Sequence, residues 1–439
     1  MGGPVVRDQR VTGVNLLGET RADLGIKDGV FVPLDALDSD HTVVDGDGLA
    51  ALPGLVDLHT HLRQPGMEHA ETVLTGSQAA ALGGFTAIHA MANTQPTTDS
   101  PDAVQQVWDW GRRAGYTDVR PIGAVTRGLR GEELADIAGM AGSEAAPRVF
   151  SDDGHCVSDS ALMRDALLAA RQVGAVVAQH AQDPSLTVGS QMNAGALADR
   201  LGLTGWPSVA EESIIARDAL LAEALDARLH VCHVSTAGSL DVVRWAKARG
   251  ISITAEVTPH HLLLTEDLVS ESNPLFKVNP PLRTREDTLA LREGIASGII
   301  DIVATDHAPH PAESKNCAFD QAAFGMVGLE TALAVVLETL VEPGLLRLRD
   351  VARVMSTKPA EIGGVAGYGE PFGFGQPAHL ALVDPSRLTP EPSGSLSRNN
   401  PYVGRALRGT VFHTFYRGVA TVADGKLVKV LPIERTEAE

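Results

Sequence analysis

Gly54-Leu55-Val56-Asp57-Leu58-His59-Thr60-His61 is a short apolar run that finishes on two histidines. Leu55, Val56 and Leu58 make no helical stripe, and the run is too short for a helix, so it reads as a buried strand. Side chains alternate faces along a strand, which puts His59 and His61 on the same face with Cα atoms about 7 Å apart. Seven further runs of this kind follow, at 86–93, 119–125, 148–153, 175–180, 229–234, 252–257 and 300–306. Amphipathic segments lie between them. In 103–114, Val104, Val107 and Trp108 fall on one face; in 161–173, Leu162, Ala166 and Ala170 do the same. Continuous buried strands alternating with helices are parallel β/α units. Eight units over roughly 300 residues fit an α/β fold of the (β/α)8 barrel type, with a doubly wound open sheet as the alternative.

The two ends have another texture. Residues 1–52 hold short strand-like pieces at 11–17, 23–27 and 29–32, and residues 365–439 hold others at 379–384, 408–415 and 419–423. Neither end has enough apolar surface to fold by itself. The expectation is one small composite β-domain made from 1–52 and 365–439, beside a catalytic barrel spanning 53–364.

With 55 acidic against 36 basic residues and a net charge of −19, the chain lacks the basic footprint of a nucleic-acid binder. The first ten residues carry no signal-peptide core and no long apolar run follows, so a cytoplasmic protein without a membrane span is expected. Cys156, Cys232 and Cys317 are far apart and form no C-x-x-C, so structural thiols are expected rather than a thiolate metal site.

The polar residues gather where the strand candidates end. Strand one finishes on His59 and His61, strand four on Asp152-Asp153, strand five on His180, strand six carries His233, and strand eight finishes on Asp306-His307. In a (β/α)8 barrel those ends converge on one mouth. Four histidines and their aspartates at one mouth have no packing explanation, because buried polar groups cost free energy unless paired. Such a set binds metal; without cysteine it suits zinc, with manganese or cobalt as replacements.

These residues resemble the amidohydrolase superfamily, and within it the bacterial type I dihydroorotases. The likeness runs through 54–63 (ending His61-Leu62-Arg63), Met91-Ala92-Asn93-Thr94-Gln95-Pro96, Ser151-Asp152-Asp153-Gly154, His233-Val234-Ser235-Thr236, Thr258-Pro259-His260-His261-Leu262, Lys277-Val278-Asn279-Pro280-Pro281-Leu282-Arg283 and Ala304-Thr305-Asp306-His307-Ala308-Pro309-His310. One departure is Ala92, where the family commonly has proline. The resemblance implies reversible closure of N-carbamoyl-L-aspartate to L-dihydroorotate and water, a step of pyrimidine (UMP) biosynthesis, by a metal-activated hydroxide. It implies two Zn2+ held by His59, His61 and Asp306 and by His180 and His233, with Asp153 bridging them; adjacent Asp152 is the alternative bridge. Many relatives bridge with a carboxylated lysine, but no lysine occurs between Lys27 and Lys247. By the same resemblance Asp306 is the catalytic proton shuttle. Arg63, Asn93 and His310 bind the substrate carboxylate, Asn279 the pyrimidine ring, and Phe324-Gly325 contribute backbone groups. A homo-oligomer is expected, and aspartate carbamoyltransferase is a candidate partner because some type I relatives assemble with it. The competing readings are another cyclic amidase (an allantoinase or hydantoinase) or a non-catalytic dihydroorotase-like partner protein.

Overall fold

A computed structural model describes residues 8–370 and 372–431. Eight short strands run parallel: β1 Leu55–Thr60, β2 Phe85–Ala90, β3 Asp118–Pro121, β4 Val149–Phe150, β5 Val176–Gln179, β6 Leu229–Val231, β7 Ile253–Val257 and β8 Ile302–Val303. Pairing joins β1 to β2 and β2 to β3, and joins β4 through β8 in chain order. Two parallel bridges connect the groups, Gly123 with Phe150 and Thr60 with His307. At the second bridge the His61 N–H donates to the His307 carbonyl at 2.8 Å, so the succession of neighbours returns to β1. Every residue of β1, β2 and β5 is buried, which is why their sequences are apolar without alternation.

The connecting helices begin and end on local chemistry. In Pro101–Ala114 the Ala103 N–H donates to the Ser100 side chain, Pro101 occupies the first turn, and Gly115 closes the helix at φ 73°. Val104, Val107 and Gly111 are its buried face, whereas Trp108, expected on that face, is only half-buried. A Cβ on Gly111 would stand 2.5 Å from the Val119 Cβ, so the missing side chain sets how closely this helix meets β3. In Ser160–Gln172 the buried set is Met163, Ala166, Leu167 and Ala170, rotated from the expected stripe so that Leu162 is half-buried.

The hydrogen-bonded strands are shorter than their apolar runs, most of all β4 and β8. The chain leaves the ladder where the polar residues begin: His233 and Asp306 have φ of 32° and 46°, in the left-handed region that L-residues seldom adopt.

A second sheet unites the chain ends. Its order is Lys426–Leu427, Val419–Ala423, Arg408–Tyr416, Leu380–Leu388, Ala50–Pro53, Gln9–Leu16, Thr20–Lys27 and Val30–Val32, with Thr42–Asp45 also pairing with Gln9–Leu16. The join is antiparallel, Leu380 opposite Pro53 and Leu382 opposite Ala51. Alternation then divides the side chains: Leu380 and Leu382 enter an apolar cluster with Val11, Val14, Ile26 and Phe415, while Ala381 and Val383 enter the main core. Among the described residues no helix is long and apolar enough to cross a membrane.

Candidate active site

Four buried imidazoles meet at the C-terminal strand ends. The rings of His59 and His61, both from the end of β1, have centroids 5.3 Å apart; His233 lies 5.2 Å from His59 and 4.7 Å from His180. Asp153 sits among them. Its Oδ1 is 3.4 Å from His59 Nε2 and 3.2 Å from both His180 Nδ1 and His233 Nε2, and its Oδ2 is 3.3 Å from His61 Nε2. Asp306 approaches from the β8 end, its Oδ1 3.0 Å from His61 Nε2 and 3.4 Å from His59 Nε2.

The opposite edge of three of these rings is engaged elsewhere. His59 Nδ1 donates to Glu256 Oε1 at 2.6 Å, His61 Nδ1 to Asn93 Oδ1 at 2.9 Å, and His180 Nε2 to Gln182 Oε1 at 2.7 Å. Each ring thereby keeps its lone pair turned to the centre, the arrangement of a ligating histidine. His59 Nε2 is fully buried and, among the described residues, has no hydrogen-bond partner. Burial alone would raise the Asp153 and Asp306 carboxyls, but the positive charge that His59 above all, and the neighbouring imidazoles, carry when protonated holds both far below the ordinary carboxylate range. Burial would depress His59, yet Asp153, Glu256 and Asp306 together push it well above an ordinary imidazole. Carboxylates that draw a proton onto a buried histidine are short of positive charge. Two triads, His59/His61/Asp153 and Asp153/His180/His233, have donor atoms within 4.8 Å of one another and fit divalent cations.

Adjacent Asp152 and Asp153 part company. Asp152 Oδ1 accepts the N–H groups of Val125 and Thr126 at 2.8 and 2.9 Å, and its other oxygen takes the Thr126 hydroxyl, so it fastens the turn after β3. Asp57 does comparable work at β1, accepting the N–H groups of Thr305 and His59 at 3.0 and 3.1 Å.

A cavity of about 230 Å³ opens above the centre, lined by His61, Arg63, Asn93, Asp153, His180, Asn279, Asp306, His310, Phe324 and Gly325 among others. His59 and His233 lie beneath this lining. Arg63, at φ 61°, donates through Nε to the Pro309 carbonyl at 3.0 Å, and among the described residues no carboxylate lies within ion-pair distance of it. Burial lowers its pKa to about 10, which leaves it charged at neutral pH. His310 is neutral: burial, with Arg63 and Lys315 nearby, lowers it to about 3. Its Nε2–H donates to the Phe324 carbonyl at 2.7 Å. A Cβ on Gly325 (φ 141°) would come within 2.7 Å of the Ala308 Cβ and 2.8 Å of His310 Nε2, so only glycine allows this approach. Asn93 spends its oxygen on His61 and keeps its NH2 for the cavity. Asn279 gives its NH2 to Gln182 Oε1 at 3.1 Å and keeps a buried oxygen that has no partner among the described residues.

Several contributors carry no sequence-level role. Glu256 accepts from His59, from His230 Nε2 at 3.0 Å and from the His233 N–H at 3.2 Å; despite burial, His59 and the hydrogen bonds lower it to about 2. An acid inside an apolar strand was the signal for it, since a buried charge demands partners. Asn399, from the segment preceding Arg408–Tyr416, accepts the His310 N–H at 3.1 Å and donates to the Ala308 and Gly325 carbonyls at 2.9 and 3.1 Å. Lys277 and Lys315 hold the 310–327 loop from within, Lys277 Nζ donating to the Phe319 carbonyl at 2.8 Å and Lys315 Nζ to the Ala323 carbonyl at 2.7 Å. Ala92 is buried and meets the cavity only through its neighbour Asn93.

Residues 48–239 match the family described as dihydro-orotase-like. The chain is 59% identical to a dihydroorotase of Leifsonia xyli over 95% of this chain and 97% of that protein. It is 60% identical to one of Streptomyces coelicolor (88% and 91% covered) and 50% identical to one of Mycobacterium tuberculosis (95% and 99%). Among solved structures, an L-hydantoinase (dihydropyrimidinase) from Arthrobacter aurescens superposes with a TM-score of 0.85 at 24% identity, covering 97% of this chain and 98% of that one. A dihydropyrimidinase from Brevibacillus agri gives a TM-score of 0.82 at 22% identity, with 97% of each chain covered. At such identities these two structures speak to the fold alone.

Proposed function

The chain belongs to the dihydroorotase family, and we propose that it closes N-carbamoyl-L-aspartate to L-dihydroorotate and water, reversibly, at the His/Asp centre described above. The observation that carries this reading is a buried guanidinium, Arg63, that has no counter-ion among the described residues and shares a small cavity with that centre. The substrate must bring a carboxylate to it. We read the circuit of parallel strands as a (β/α)8 barrel over 53–364, and the sheet of both ends as a small β-domain from 1–52 and 365–439.

His59, His61 and Asp306 would hold one zinc ion, His180 and His233 a second, and Asp153 would bridge them. When bound, such ions supply Lewis acidity that brings the pKa of water from 15.7 to about 7 and polarises a carbonyl. The protein's own groups do the rest. Arg63 offers its terminal nitrogens, one of them 3.4 Å from His310 Nε2, to the substrate carboxylate. The Asn93 NH2 joins it, and His310 does so by transferring its Nε2–H from the Phe324 carbonyl. Asn279 accepts a ring N–H on its unpartnered oxygen, and Phe324-Gly325 present backbone groups to the ring. In hydrolysis Asp306 receives the proton of the attacking water and delivers it to the departing ring nitrogen; in closure it takes the amide proton. Closure also takes up a proton, so acid favours the ring and alkali the open chain. A homo-oligomer, and association with aspartate carbamoyltransferase, belong to the same proposal.

Side-by-side turnover of dihydroorotate, hydantoin and allantoin tests the reading. Dihydroorotate should be preferred by orders of magnitude; preference for either of the others makes this another cyclic amidase. Absence of all three activities in metal-replete protein makes it a non-catalytic relative. The bridge has its own test. With no lysine from 28 to 246, preparation free of bicarbonate should leave activity unchanged, and Asp153→Ala should lower zinc below about two ions per chain. Asp153→Ala with full zinc and full rate would assign the bridge elsewhere.

A further inference from the structure

A chain of hydrogen bonds outside the cavity dictates which way two of its groups face. It starts at the backbone carbonyl of Asp183, which can only accept. The Thr187 hydroxyl donates to that carbonyl at 2.9 Å. Its proton is thereby spent, and Thr187 Oγ1 must accept from Gln182, whose Nε2 lies 2.9 Å away. The Gln182 amide is thus oriented: NH2 toward Thr187, oxygen toward the site. That single oxygen meets His180 Nε2 at 2.7 Å and Asn279 Nδ2 at 3.1 Å. His180 must therefore carry its proton on Nε2, which leaves the Nδ1 lone pair beside Asp153 Oδ1 at 3.2 Å. Asn279 must give its NH2 to Gln182, which leaves its buried oxygen as the group facing a ligand.

We propose that Thr187 and Gln182 are positioning residues that fix both the tautomer of His180 and the orientation of the Asn279 amide, so that the cavity takes a cyclic ureide bearing an unsubstituted ring N–H. A ligand presenting a carbonyl or an N-methyl group at that place meets an acceptor it cannot satisfy, and leaving buried polar groups unpaired is what gives such sites their discrimination. The inference rests on the dihydroorotase reading for its substrate, but the polarity of the relay follows from hydrogen-bond valence alone.

The test uses full-length zinc-loaded protein with T187V, T187S, Q182L and Q182E, measuring kcat and KM for dihydroorotate and the rate of zinc release to a chromophoric chelator. T187V frees the Gln182 amide to rotate and should raise KM about tenfold with a much smaller change in kcat, and T187S, which keeps the hydroxyl, should restore it. Q182L removes the acceptor from His180 as well and should speed release of zinc about tenfold or more, as loss of a group orienting a ligating histidine does. Q182E keeps an acceptor oxygen there and should hold zinc nearly as the native protein does. Wild-type kinetics and zinc release in both T187V and Q182L would overturn the proposal. So would equal behaviour of Q182E and Q182L, which would leave only side-chain volume. If the native protein does not turn over dihydroorotate, the functional reading fails separately, while zinc release still reports on the relay.

Discussion

Asp306→Asn should lower kcat at least about 100-fold while the protein stays folded, the loss typical of a missing general base. Asparagine keeps the size and one oxygen that can face His61 Nε2, 3.0 Å away in the native site, but it cannot take a proton. Asp306 suits the task on two counts. Its carboxyl, buried among imidazoles, His59 above all, that outweigh the cost of burial, is held below the ordinary range and so starts without the proton it is to accept. Its backbone at φ 46° aims it out of the ladder and into the cavity, and strain of this sort is retained where the surroundings over-determine it. Zinc content must accompany the rate, because losing a ligand would imitate losing a base. If Asp306→Asn holds its full metal complement and turns over at more than a tenth of the native rate, the proton belongs to another group, and His310 is the next to examine.

Arg63→Ala should cost about 30- to 1,000-fold in kcat/KM, the roughly 2–4 kcal/mol of a buried charge-assisted contact. The Pro309 carbonyl holds Nε at 3.0 Å and His310 Nε2 lies 3.4 Å from Nη2, so the guanidinium plane is set before any ligand arrives, with its terminal nitrogens at the cavity. Lysine cannot donate to Pro309 and present a planar fork together, so Arg63→Lys should recover little. An alanine variant within threefold of the native kcat/KM would show that the carboxylate binds elsewhere.

These two residues show what a reading of the sequence can reach. The two-residue period of a strand put His59 and His61 on one face, and Arg63 continues that row into the cavity even though its own backbone has left the strand. Asp152 and Asp153 could be separated only as a pair with opposite faces; the structure shows which one meets the imidazoles, because Val125 and Thr126 capture the other. Glu256 is a charge inside an apolar strand, a signal that the reading of the sequence did not use. Gln182 was not, because an amide's orientation depends on partners such as Asn279, 97 residues away, and nothing local marks it. The strand lengths failed for a related reason. Apolar runs mark burial, and at β4 and β8 burial continues past the last ladder hydrogen bond.

The antiparallel join of Ala50–Pro53 with Leu380–Leu388 also sets a timetable for the chain as it is made. At 5–20 residues per second, roughly 15–65 s separate the two strands during synthesis. Through that interval Ala50–Pro53 is an open edge, bound on one side by Gln9–Leu16 and bare on the other. Bare edges recruit other strands, including those of neighbouring nascent chains. Contacts so distant in sequence are also slow to form, since loop closure precedes any gain from them. Because β1 begins two residues after Pro53, the strand that carries His59 is anchored on this side only when about the last seventh of the polypeptide arrives.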